Sequence, residues 1–219
     1  MSTHLITGAN RGIGLEFCRQ LAARGDDVIA ACRESSPELD GLGVRVETGM
    51  DVADAAAVAD LAGRLAGTQL STLVCNAGIL KRIGLDELDY ESIRRQFEVN
   101  AIGTLRTVEA FLGNLEKGSK IGIVTSLMGS MADNGSGGHY GYRMSKAALN
   151  SAGVSLAHDL RPRGIPVAIL HPGLVNTRMT GNIGMSTEES VQGLLALLDG
   201  LNLENSGTFW HSDGRVLPW

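Results

Sequence analysis

The chain has 219 residues, 43% hydrophobic and 20% charged, with a net charge of −5; this suits one domain with a sizeable core, and the absence of a long Lys/Arg run excludes nucleic acid and anionic membrane as expected partners. No apolar run is long enough to span a bilayer, and the start MSTHLITGAN has no basic region ahead of an apolar one, so neither a membrane anchor nor a secretory signal is expected. The three cysteines, Cys18, Cys32 and Cys75, are an odd number without metal-like spacing; they fit a reducing cytoplasm and no metal site is expected.

In chain order, HLIT predicts a first strand, and GLEFCRQLAARG repeats apolar residues at helical spacing before stopping at Gly25. DVIAAC and VRVET predict the second and third strands, and ADAAAVADLAGRLAG an Ala-rich helix. STLVCNAG is a fourth strand, and residues 89–115 predict one long helix with a soft point near Gly103. KIGIVTS is a fifth strand, and residues 140–164 predict a second long helix that ends before Pro162. PVAILHPG is a sixth strand, STEESVQGLLALL a helix opened by a Ser186 or Thr187 cap, and GTFWHSDG a seventh strand. No repeat, linker or boundary interrupts the chain. The expectation is a single α/β domain over residues 1–219, a doubly wound parallel sheet of Rossmann type, with its ligands beyond the carboxyl ends of the strands.

Polar motifs fall at those ends. TGANRGIG joins the first strand to the first helix: Gly8 permits a tight turn, Gly12 a close approach to phosphate and Gly14 close helix-to-strand packing, though an ordinary glycine turn reads the same way. CNAG closes the fourth strand. Asp51 after the third strand either accepts from an adenine amino group or caps the next helix. Ser126 ends the fifth strand, a position that turn chemistry alone also explains. Tyr142 and Lys146 are four apart and share a helix face, whereas Tyr140 and Lys146 point apart. An ammonium beside a phenol favours the phenolate, which predicts a lowered Tyr142 pKa; a solvated surface pair is the alternative.

Taken together and in order, TGANRGIG, NAG, VNAIGT, IVTS, YRMSK and HPGLVNT resemble the short-chain dehydrogenase/reductase family. GGHYGYRMSKAALN and GTFWHSDGRVLPW are similar to its C-factor and sniffer-like carbonyl-reductase branch. The resemblance implies a catalytic tetrad of Asn100, Ser126, Tyr142 and Lys146. Tyr142 would exchange the proton, Ser126 would bind the substrate oxygen, Lys146 would hold the nicotinamide ribose and Asn100 would hold a water that relays protons. It also implies a nucleotide site formed by Gly8, Asn10, Arg11, Gly12, Ile13, Gly14, Arg33, Asp51, Val52, Asn76, Ala77, Gly78, Tyr142, Lys146, Pro172, Gly173, Val175 and Thr177, with HPG bordering the substrate. Cys75 stands where the family commonly has an amide, and the segment between Thr177 and the next helix is short.

The second strand ends in Cys32-Arg33, with no acid to accept from the ribose hydroxyls. Arg33 and Arg11 suit a 2′-phosphate, so the expected cofactor is NADPH (NADP). The expected activity is reduction of a small aldehyde or ketone substrate to its alcohol, or the reverse; the alternative is a cofactor-binding signalling protein of C-factor type. The family also implies a homodimer through the helices at 90–114 and 140–161, with Ala147, Ala148, Ala152 and Gly153 allowing close approach.

Overall fold

In the computed structural model, which describes residues 2–219, each of the seven apolar runs becomes a strand of one parallel sheet. The strands are β1 Thr3–Thr7, β2 Asp27–Ala31, β3 Arg45–Glu47, β4 Thr72–Cys75, β5 Lys120–Val124, β6 Val167–His171 and β7 Phe209–His211. Their order is β3-β2-β1-β4-β5-β6-β7, and all the pairings are parallel. The direction of winding reverses between β1 and β4. Loops diverge there, which opens a crevice at the carboxyl edge.

Alternate strand residues face opposite sides, so each strand feeds two cores. Leu5, Leu73, Ile121 and Ile123 pack with α3 (Ala55–Arg64), α5 (Gly103–Phe111) and α6 (Tyr140–Leu160). Ile6, Val74, Val124 and Leu170 pack with α1 (Gly12–Ala23), α2 (Pro37–Asp40) and α7 (Thr187–Asp199). No helix among the described residues is long and apolar enough to cross a membrane.

The structure adds one element to the expected set, decides one open alternative and corrects two expectations. The four-residue α2, capped by Ser36 and begun at Pro37, escapes a periodicity search because it makes barely one turn. The predicted helix over 89–115 is broken into α4 (Tyr90–Phe97), a wider turn of π type (Glu98–Ile102) and α5. Asp51 does not cap the helix that follows it; Asp54 does, accepting from the N–H groups of Ala56 and Ala57 at 2.8 and 3.3 Å. Finally, Gly153 faces the sheet: a Cβ there would lie 2.7 Å from Ile169 Cγ1, so it serves helix-to-sheet packing.

Candidate active site

The crevice is built by clamping the loops after β1 and β4 together. The Thr7 hydroxyl oxygen accepts from the N–H groups of Asn76 (3.0 Å) and Ala77 (3.1 Å), and Asn76 Nδ2 donates to the carbonyls of Thr7 (3.0 Å) and Gly8 (3.2 Å). Both hydrogens of the Asn76 amide thus hold the loop after β1. Gly8 turns at φ +66°, and a Cβ there would meet Ala77 Cα at 2.9 Å. At Gly14 a Cβ would stand 2.2 Å from the Gly8 carbonyl oxygen, so α1 can start here only with glycine. The first-turn N–H groups of α1, at Gly12, Ile13 and Gly14, have no intrahelical acceptor and lie at the positive end of the helix dipole. Thr177 leans over this loop: its Cγ2 is 3.4 Å from where a Gly12 Cβ would be.

On the far side of β1, Asn10 Nδ2 donates to the Glu34 carbonyl at 2.8 Å and Ser36 Oγ donates to the Asn10 carbonyl at 2.9 Å, tying the loop after β1 to that after β2. Arg11 and Arg33 are exposed, and neither forms an ion pair among the described residues. Burial disfavours the Asp51 carboxylate, but the Ala53 N–H, Arg95 and Arg33 outweigh it and hold the carboxyl below its usual range. Val52 is buried against Gly103, whose absent side chain lets the backbone come close: a Cβ there would lie 2.9 Å from the Val52 carbonyl oxygen.

Four tetrad candidates meet at the carboxyl edge. Tyr142 and Lys146 lie one helical turn apart on α6, with Lys146 Nζ 5.8 Å from the Tyr142 ring centroid. Lys146 Nζ donates to the Val124 carbonyl at 3.0 Å, which fixes the ammonium beneath the end of β5. The Ser126 hydroxyl accepts from the Met128 N–H at 3.1 Å and also interacts with the Tyr142 phenol. Asn100 sits in the π-type turn: its Oδ1 accepts from the Ile79 N–H at 2.8 Å, and its Nδ2 donates to the Ile79 carbonyl and to Ser145 Oγ, both at 2.9 Å. Gly78 lies between them, where a Cβ would be 3.2 Å from Asn100 Oδ1 and 3.7 Å from Lys146 Nζ.

The electrostatics reverse one expectation. Burial pushes the Tyr142 phenol up to about 12, with the Ser126 hydroxyl pulling weakly the other way. Burial also brings the Lys146 ammonium down to about 8. Desolvation of both groups outweighs their mutual attraction in the protein alone, so Tyr142 holds its proton firmly at neutral pH.

The loop after β6 completes the rim. Gly173 turns at φ +86°, while Ser190 Oγ (2.7 Å) and Ser212 Oγ (3.2 Å) both donate to the Pro172 carbonyl. Val175 is buried, and its carbonyl accepts from Thr180 Oγ1 at 2.6 Å. His171 lies at the end of β6, where burial and then the neighbouring His211 push its pKa down to about 3, so the ring is neutral. Motif reading misses Thr7, which clamps the two loops, and Ser145, which bonds Asn100 and donates to the Tyr142 carbonyl at 2.8 Å. Thr7 carries a readable signal, standing first in TGANRGIG. Ser145 carries a weaker one, its place within YRMSK.

Known proteins resemble this chain over most of its length. The model of the short chain dehydrogenase family matches residues 2–188. The 1-hydroxy-2-glutathionyl-2-methyl-3-butene dehydrogenase of Rhodococcus sp. (strain AD45) is 45% identical, with all of both chains covered. The C-signal protein of Myxococcus xanthus is 44% identical over 68% of this chain and 93% of its own length. The NADPH-bound carbonyl reductase from chicken fatty liver superposes with a TM-score of 0.92 at 31% identity, covering 100% of this chain and 99% of the other. With the sheet order, the glycine loop and the Ser126–Tyr142–Lys146 cluster, these likenesses show that the chain belongs to the short chain dehydrogenase family of oxidoreductases.

Proposed function

We propose that the protein is an NADPH-dependent oxidoreductase that interconverts a carbonyl compound and its alcohol. The observation that carries this reading is the convergence of Ser126, Tyr142 and Lys146 beside the crevice left by Gly8, Gly12 and Gly14. That crevice suits a dinucleotide: the open first turn of α1 accommodates a diphosphate, and Arg11 and Arg33 accommodate a 2′-phosphate. Bound NADPH supplies a hydride to the carbonyl carbon. Ser126 hydrogen-bonds the substrate oxygen, and Tyr142, protonated at neutral pH, gives that oxygen its proton. Lys146 would hold the ribose and pass its proton to the Tyr142 phenolate, to be reprotonated from solvent, with Asn100 anchoring the wall at Ile79 and Gly78. In the reverse direction the same phenol oxygen takes up the proton of the alcohol.

The Rhodococcus relative is a dehydrogenase of a glutathionyl alcohol, and the chicken structure is a carbonyl reductase; both support a substrate of the alcohol–carbonyl class. The likeness to C-signal supports a second reading, a cofactor-binding signalling protein. Oxidation of NADPH with a panel of aldehydes and ketones separates the two, because a binding module turns over none of them.

Coenzyme preference follows from the same corner. NADPH is expected to bind more tightly than NADH, since β2 runs into Cys32-Arg33 with no acid at that point and Arg11 is exposed on the loop after β1. Arg33→Asp is expected to shift the ratio of dissociation constants towards NADH by at least tenfold, through loss of a charge-assisted phosphate contact. Equal affinities in the parent protein would refute the assignment.

The protein is further proposed to be a homodimer through α4, α5 and α6. Leu105 on α5, Tyr140 and Met144 on α6 and Ile102 in the π-type turn between α4 and α5 are large apolar side chains left exposed. Light scattering at micromolar concentration is expected to give twice the monomer mass, and a monomer would count against the interface.

A further inference from the structure

His171 and His211 meet at the carboxyl ends of β6 and β7, paired in register, with ring centroids 5.1 Å apart and planes at 76°. His171 is 9% exposed, and its Nδ1, sealed from solvent, has no hydrogen-bond partner. The Thr125 N–H donates to the Leu170 carbonyl at 2.7 Å, which sets His171 beside the strand end that leads into Ser126.

His211 is held from behind. The Asp213 backbone N–H donates to its Nδ1 at 3.1 Å, and Asp213 Oδ1 stands 3.1 Å from the same nitrogen. An Nδ1 that accepts from that N–H leaves the ring proton on Nε2, and an imidazolium whose Nδ1–H turns to Oδ1 also carries one there; the neutral tautomer with Nδ1–H on Oδ1 makes Nε2 an acceptor, and an incoming anion selects the first two. That Nε2 has no partner among the described residues. It lies 3.5 Å from the point above Gly173 where any other residue would place a Cβ, and Met185 Sδ bounds the same space at 2.8 Å. Arg215 lies alongside, its Nε 3.4 Å from Asp213 Oδ2 and its side chain largely in solvent. Asp213 is turned towards His211 and Arg215, so the corner presents donors, across His171 from the reacting end of the site. A carboxylate there satisfies the His211 Nε2–H and the Arg215 guanidinium at once.

We propose that His211 determines specificity: its Nε2–H, backed by Asp213 and flanked by Arg215, takes a carboxylate on the end of the substrate remote from the reacting carbonyl. This rests on the reductase reading above. The test compares para-formylbenzoate and the longer para-formylphenylpropanoate with their methyl esters, following NADPH oxidation. Wild-type protein is expected to favour the acid over its ester by about tenfold in kcat/KM in at least one pair, the difference lying in KM. His211→Phe, which keeps a ring against His171, is expected to bring that ratio to about one, with the KM of the acid rising. Arg215→Met, a surface change, is expected to lower the ratio several-fold. Because acid and ester are compared within one protein, any loss of folded enzyme cancels. Equal or ester-favouring ratios in the wild type, or an unchanged ratio in His211→Phe, would overturn the proposal. Absence of turnover with all four compounds would instead overturn the reductase reading, and this inference with it.

Discussion

Tyr142→Phe is expected to lower turnover by about a hundredfold or more, the usual range of a general acid, while NADPH affinity persists. The substitution keeps the ring, which is 8% exposed, and removes the proton. The buried phenol, pushed up to about 12, keeps its proton at neutral pH and stands with Ser126, whereas the Lys146 ammonium is turned to the Val124 carbonyl at 3.0 Å, so position rather than acid strength makes the tyrosine the donor. Tyr140→Phe is the control. That ring is 36% exposed at the start of α6 and points away from Lys146, so most turnover is expected to remain. Steady-state rates with a reactive aldehyde, alongside fluorescence titration of NADPH, check both. Parental turnover in Tyr142→Phe would reject the mechanism and bring the signalling reading forward.

Gly14→Ala is expected to destabilise the protein by about 3 kcal/mol, at the upper end of overpacking costs. For a chain of this size that is roughly 10 °C of Tm. The new methyl would sit 2.2 Å from the Gly8 carbonyl oxygen and 2.6 Å from Asn76 Nδ2, and both are backed by the Thr7 clamp, so neither can yield cheaply. Opening that clamp moves the N–H groups of the first helical turn, so NADPH affinity is expected to fall with stability. Gly63→Ala provides the contrast. Gly63 lies within α3 with open space around its missing side chain, and alanine there is expected to stabilise by about 0.5–1 kcal/mol through helix propensity. Thermal melts of the two variants, with NADPH titrations, decide the matter; an unchanged Gly14→Ala protein would show that the loops are not in tight contact.

Much of the architecture is legible because period-2 and period-3.6 patterns alternate cleanly from Leu5 to Trp210, and because TGANRGIG, NAG and YRMSK lie at predicted strand ends or helix starts. Three things are not legible, each for a physical reason. The π-type turn at Glu98–Ile102 differs from an α-turn by a single residue in its hydrogen-bond ring, and side-chain periodicity over five residues cannot resolve that. The direction of the Tyr142 shift depends on how completely the sheet edge and α6 exclude water, which residue spacing does not carry. The His171–His211 contact depends on the register of β6 against β7, strands separated by α7 and a loop.

The wide turn at Glu98–Ile102 also bears on how the chain can change in length. A segment that closes its ring over one extra residue can lose that residue and relax into an unbroken α-helix. The helix would survive, but everything before the cut would rotate by about 100° and shift by about 1.5 Å against everything after it. Either Gln96, fully buried and bonded to the Lys81 N–H at 2.9 Å, or Gly103, pressed onto Val52, would then leave its seat. Asn100 would swing away from Ile79 and Ser145. Exposed positions on α4, such as Glu91 and Arg94, can therefore exchange side chains freely, whereas the spacing from Gln96 to Gly103 must stay constant. In this stretch, insertions and deletions are restricted more tightly than substitutions.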